Sequence, residues 1–425
     1  MRAPMSPADL LTNAVSMIHW QYVERVTVTE LADLALRELE TLPPAGSIRV
    51  FLRDDGAVVT HTGPASTGST LRVTWRRDAT AADVGRALSE AGYFVVTRLA
   101  VSPEAVGDTL LRGLIRVDRA GEYLAPADLD DTLAGVGVEI EVRDNALVVS
   151  PIDGGPAARA GLRVRDRILA IDGVSTAGMQ SGDAIRRLRG KAGSLAVLTV
   201  SRPQWEHPRE ITMTRERFRR PALQRAMFGR VGYVRIDALS EQTAREVGSA
   251  VDLLRADGAA ALVLDLRDSP GGRLTAAVQV SELFLPEGRF IGSTIGRLPA
   301  HNLRFRARVS AQGRRPILDL PLAVLVGDRT SAGAEIIAAA LQDWNRATVI
   351  GTRTAGHTSI MSILPLASGG AFKLTTSRWL TSNGRSLDGG LTPDVAVTTV
   401  DDEPPRHDPD RDRALRRGIE LLARR

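Results

Sequence analysis

Between Val231 and Gly351 the sequence alternates short apolar runs with longer amphipathic ones: VGYVRID, SEQTAREVGSAVDLLRA, AALVLDL, LTAAVQVSELFL, LAVLVG, AEIIAAALQDW and ATVIG. Strands separated by helices of ten or more residues cannot be hairpin partners, so each returns to the sheet by a crossover and runs parallel to the last. Nearly continuous apolar strands also need cover on both faces. The pattern therefore predicts an α/β core over 231–400, with a parallel or mixed sheet and flanking helices.

At 425 residues the chain is longer than one hydrophobic core supports, and several units are expected. Residues 1–132 read as an N-terminal helical and α+β region. Two helices lie between Ala8 and Leu42, ended by Pro43 and Pro44. A small α+β insertion follows over 48–98, with SIRVFL, LRVTW and YFVVTRL as strands and ATAADVGRALSEAG as a helix; it displays no chemistry. Residues 133–203 form a compact, β-rich module: strands VGVEIEV, ALVVSPI, RILAIDG and LAVLTV, with helices PAARAGL and SGDAIRRLRG. Residues 204–230, including the Arg-rich tract 215–220, read as a linker. The tail 401–425 is charged and ends in a helix.

Composition removes several functional classes. A pI near 10.1 beside a formal charge of only +5 reflects arginine, since Lys191 and Lys373 are the only lysines. With aromatics at 4% and Arg interleaved with Asp and Glu, no nucleic-acid surface is expected. Zero cysteines exclude disulfides, thiolate nucleophiles and zinc-thiolate sites. No His pair stands at metal-ligand spacing near the motifs below, so neither metal nor cofactor is expected. MRAPMSPADLLTNAV does not read as a secretory leader, and no stretch offers the 18 apolar residues of a membrane span. The compartment stays open.

The segment GVGVEIEVRDNALVVSPIDGGPAARAGLRVRDRILAIDGVSTAGM resembles a PDZ domain in its bacterial, circularly permuted form. Gly135 and Gly137 flank Val136 where N–H groups can turn toward a peptide carboxylate, and the strand through Val138 and Ile140 can pair with an extended peptide. The bland alternative is a turn that merely enters a strand.

Three stretches of the core, VLDLRDSPGGR, VGDRTSAGAEIIAAALQDWNRATVIGTRTAGHTS and KLTTSRWLTSNGRSLDGGLTPDV, resemble the C-terminal processing (tail-specific) serine peptidases. The resemblance implies an oxyanion hole at Gly271 and Gly272, protein or peptide C-termini as partners, N-terminal helices that help subunits associate into a homo-oligomer, and usually an extracytoplasmic setting. It also implies a serine nucleophile three residues before Glu335, a lysine base 25 residues later and a glutamine four beyond that. Those positions hold Ala332, His357 and Met361.

Two readings follow. In one the fold has lost hydrolysis and persists as a peptide-binding pseudoenzyme or adaptor, because alanine cannot attack a carbonyl. In the other, Ser331 and His357 form a rearranged dyad, imidazole being suited to general-base work near neutrality. A one-residue move at a helix start turns a side chain by about 100°, which opposes the dyad. Ser331 also fits an N-cap ahead of AGAEIIAAAL.

Overall fold

The computed structural model describes residues 6–62, 68–126, 133–143, 146–152, 154–179, 181–217, 223–309, 315–398 and 409–423. The chain divides into two compact units, Met1–Ala125 with Ala222–Arg425, and Pro126–Pro221.

In the larger unit a six-stranded sheet runs in the order Leu223–Phe228, Val231–Ile236, Ala261–Asp265, Leu322–Val326, Ala347–Gly351, Val395–Ala396. The first pair is antiparallel and the rest are parallel. Side chains alternate between faces, as a pleated strand requires. Val234, Ile236, Leu262, Leu264 and Val324 pack with the helices Thr243–Ala256, Leu274–Glu282 and Gly333–Asp343. Tyr233, Val263, Ala323 and Leu325 pack instead against Ala414, Leu415 and Leu422 of the tail helix Arg413–Ala423. Because the strands are parallel, the loops that leave Asp265, Val326 and Gly351 all emerge at one edge of the sheet, the usual place for an α/β site.

Buried ion pairs fix that edge. Arg267 donates to Asp265 at 2.6 Å and to Asp412 at 2.7 Å, and the Tyr233 hydroxyl donates to Asp265 at 2.7 Å. Burial opposes ionisation of Asp265, yet the Arg267 and Arg235 guanidiniums hold its carboxyl below the usual carboxylate range. The stabilisation this gives is present above the unfolded carboxyl's titration range and is lost as pH falls through the depressed one.

A second, antiparallel sheet runs Arg304–Arg306, Phe290–Gly296, Ala371–Thr381, Ser359–Pro365, and Glu122–Leu124 also pairs with its long strand. This strand joins the core of the N-terminal region through Phe372 and Leu374. That region holds the helices Pro7–Gln21, Val28–Glu38, Ala81–Arg98 and Pro103–Ile115 and a three-stranded sheet over Ile48–Arg53, Gly56–His61 and Ser69–Thr74. YFVVTRL, expected as a strand, completes the helix Ala81–Arg98. A capping box between Thr80 and Asp83 starts that helix, and the buried Val84, Leu88, Ala91 and Val95 keep helical spacing through the β-prone residues. Tertiary burial overrides local propensity there. No helix among the described residues is long and apolar enough to cross a membrane.

The smaller unit is an antiparallel sheet in the order Arg209–Thr214, Leu195–Ser201, Asp166–Ile171, Ala146–Pro151, Val138–Arg143, with helices Pro156–Arg159 and Ser181–Leu188. Residues 204–230, expected as a linker, contribute a strand to each unit: Arg209–Thr214 pairs with Leu195–Val200, and Leu223–Phe228 pairs with Val231–Ile236. Arg215, from the Arg-rich tract, is buried and donates to the Leu188 and Arg187 carbonyls and to Asp172. Its charge therefore serves packing; residues 218–222 lie outside the described residues.

Candidate active site at the strand ends

Three loops meet at the C-terminal edge of the parallel strands. The loop after Asp265 turns at Gly271, whose φ is +81°. A Cβ there would stand 2.6 Å from the Gly333 nitrogen, 2.7 Å from the Ser331 oxygen and 2.9 Å from the Ala332 Cβ. Both conformation and space demand glycine. Gly272 is equally tight, since a Cβ would meet the Leu239 oxygen at 2.2 Å. The turn is stitched on both sides: Leu239 N–H donates to the Gly271 carbonyl at 2.8 Å, and Ser331 N–H to the Ser269 carbonyl at 3.0 Å.

The loop after Val326 is pinned by the buried Thr330. Its hydroxyl donates to the Leu266 carbonyl at 3.0 Å and accepts the Gly327 N–H at 2.9 Å, while its carbonyl takes the Ala355 N–H at 3.0 Å. Ala332 follows at φ +48° and ψ −118°, the residue ahead of helix Gly333–Asp343. A non-glycine residue held there stores on the order of 1–3 kcal/mol. A sharp strand-to-helix elbow of this kind presents the nucleophile in other acyl-transfer enzymes, and here it presents a methyl group.

Ser331 stands one residue ahead of the cap position, which Ala332 occupies, so it does not cap the helix as expected. Its Oγ is 3.3 Å from Nδ1 of His357. The loop absorbs the rotation that argued against a dyad, and the two residues are brought together at a separation longer than a tight catalytic hydrogen bond.

Glu335 joins the elbow to the third loop. Completely buried, its carboxylate accepts N–H groups from Ala332 at 3.0 Å, Gly356 at 2.7 Å and His357 at 2.9 Å, together with the Thr354 hydroxyl. The sequence marks Glu335 only as a register point for counting; its buried acidity on the inner face of AEIIAAAL is the signal that it has work to do. The His357 side chain is exposed. Met361 sits opposite Thr375, where the strand register slips after Ile360. It is therefore in the adjoining sheet and carries no polar group to orient a base.

In the smaller unit, Val138–Arg143 is an edge strand, paired only with Ala146–Pro151 among the described residues. Gly135 was expected to offer its N–H to a ligand, but that N–H is already donated to the Glu216 carbonyl at 3.1 Å. The carbonyls of Val136 and Gly137 take the Ala157 and Ile152 N–H groups. No acceptor takes the Val136 or Gly137 N–H among the described residues.

Residues 230–397 match peptidase family S41, and residues 147–202 match the PDZ domain family. The core thus resembles peptidase family S41 over the matched residues. Over 270 residues the chain is 36% identical to a carboxy-terminal-processing protease of Bartonella bacilliformis, covering 62% of this chain and 61% of that protein. It is 34% identical over 273 residues to a carboxyl-terminal-processing protease of Picosynechococcus sp., covering 62% and 64%. The chain thus spans about three-fifths of the length of these curated relatives. A photosystem II D1 C-terminal processing protease shares the fold at a TM-score of 0.58 and 22% identity, over 92% of this chain and 93% of that one. Where that resemblance leads one to expect serine, lysine and glutamine, this chain carries Ala332, His357 and Met361.

Proposed function

We propose that this S41-like chain binds unstructured peptide C-termini and has lost the family's hydrolysis at the usual position. The observation that carries the reading is the Ala332 elbow, which keeps the strained backbone of a nucleophile, φ +48° and ψ −118°, under a side chain that cannot attack. Such a protein should turn over casein at least about a hundredfold more slowly than an S41 peptidase with an intact site. It should also resist labelling by a fluorophosphonate probe. Family-like turnover, or stoichiometric labelling, would overturn the reading.

The Ser331 to His357 contact favours a second reading, in which that pair supplies residual peptidase activity. Under it, Ser331→Ala and His357→Ala would each abolish whatever casein turnover is measured. Turnover that survives both substitutions places the chemistry elsewhere.

For the PDZ domain we infer capture of a free C-terminal carboxylate beside an apolar residue, with the peptide added as a strand to Val138–Arg143. The supporting features are that free edge and the unengaged Val136 and Gly137 N–H groups. Amidation of the peptide C-terminus should weaken binding roughly tenfold or more by fluorescence polarisation, because charge-assisted bonds are lost. Equal affinity for acid and amide removes the carboxylate from the interaction.

A further inference from the structure

The S41-like elbow retains donors that its chemistry no longer uses. Among the described residues no acceptor takes the N–H groups of Gly271, Gly272 or Gly333, and the 2.6 Å approach of a Gly271 Cβ to the Gly333 nitrogen places turn and helix start in direct contact. Gly333 opens a helix of 11 residues, so its N–H also lies at the positive end of a peptide dipole. The carboxylates nearby are already consumed. Glu335 is saturated by its buried donors, and Asp268 is held by Arg329 at 2.7 Å and by Arg235 at 3.6 Å. A second sign of an unmet partner lies in the same turn, where the Ser269 hydroxyl is completely buried and has no hydrogen-bond partner among the described residues.

In a working peptidase these N–H groups meet charge only as it develops on an attacked carbonyl. With a methyl at Ala332 no such charge develops. The ligand that matches several unengaged neighbouring donors in its ground state is an anion with two acceptor oxygens, and the exposed His357, whose Nδ1 stands 3.3 Å from the Ser331 Oγ in the same loop as Ala332, is the nearby side chain that can add a further donor. We propose that the elbow binds the free carboxylate of a peptide C-terminus as a stable, unreacted ligand, a site separate from the PDZ edge strand. The inference rests on the reading of the core as non-hydrolytic. It adds a second place of capture and names the group captured.

The test uses the full chain, isotope-labelled, with backbone amides followed by NMR during titration with an apolar pentapeptide, its C-terminal amide, and acetate. The free acid should shift Gly271, Gly272 and Gly333 saturably, on a curve of its own beside that of Val136 and Gly137. The amide should bind the elbow at least about tenfold more weakly. Acetate should shift the same three residues with lower affinity, since it lacks the peptide chain. His357→Ala should lower elbow affinity about tenfold and leave the PDZ curve unchanged, and the spectrum itself reports that this exposed substitution is folded. The elbow site is overturned if its three amides do not shift up to about 10 mM peptide, if acid and amide bind there alike, or if His357→Ala leaves elbow affinity unchanged. Shifts confined to the PDZ residues would remove this site and leave the peptide-binding reading intact, whereas casein hydrolysis would remove the non-hydrolytic reading instead.

Discussion

Glu335→Ala is expected to cost the larger unit about 3–5 kcal/mol, because it removes the shared acceptor of several buried, charge-assisted hydrogen bonds. The substitution strands the N–H groups of Ala332, Gly356 and His357 and the Thr354 hydroxyl at once, and each buried donor left without an acceptor costs about 1–3 kcal/mol unless water reaches it. Water entry sets the lower end of the range. Glu335→Gln should cost less, about 2 kcal/mol, since it keeps the volume and one acceptor oxygen while its amide group opposes donors on the other side. Urea denaturation monitored by tryptophan fluorescence checks both values. A loss below about 1 kcal/mol for Glu335→Ala would mean that the carboxylate does not hold the elbow and the 354–357 loop together. The same variant should broaden or shift the amides of Ala332 and His357, because nothing else described ties the Ala332 N–H to the loop that carries the histidine.

How much of this was legible beforehand depends on what each residue's role required. The parallel core followed from the crossover spacing alone, and strands such as Val231–Ile236 and Ala261–Asp265 are buried along their whole length, as nearly continuous apolar sequences demand. Gly271 and Gly272 could be marked as a turn, though their necessity became clear only from the backbone of Ser331, Ala332 and Gly333 lying against them. YFVVTRL misled because β-branched residues carry a strand signal that burial inside the helix Ala81–Arg98 overrides. Residues 204–230 read as a linker because their Arg content suggests solvent, whereas Arg215 is buried among carbonyls and Asp172. Ser331 gave the cap reading because a serine before an apolar helix usually serves as one; the turn at Ala332 places it one residue too early. Glu335 was visible but mute, since no local pattern tells that a glutamate's partners come from a loop about twenty residues away.

The second large effect is a gain. The combined substitution Ala332→Ser, His357→Lys and Met361→Gln should raise casein turnover at least about a hundredfold above the wild-type chain, the low end of what a positioned general base supplies. The scaffold for it is in place. The elbow holds φ +48° and ψ −118° at residue 332, so a serine there would inherit the conformation that presents a nucleophile. Gly271 still lies against it, and the 354–357 loop is still bound through Glu335, which would fix the start of the lysine side chain. Residue 361 follows a slip in strand register, a device that re-aims a side chain out of its regular alternation. Single substitutions should do little, because a serine without its base is a weak nucleophile and a lysine without a serine has nothing to activate. Circular dichroism must accompany the casein assay, so that a folded variant is being read. A folded triple variant no faster than wild type would locate the loss beyond the side chains, in a displacement of the Gly271 turn or of the 354–357 loop too small to disturb folding but large enough to misplace the reacting atoms, since an error of about 1 Å can cost a hundredfold in rate.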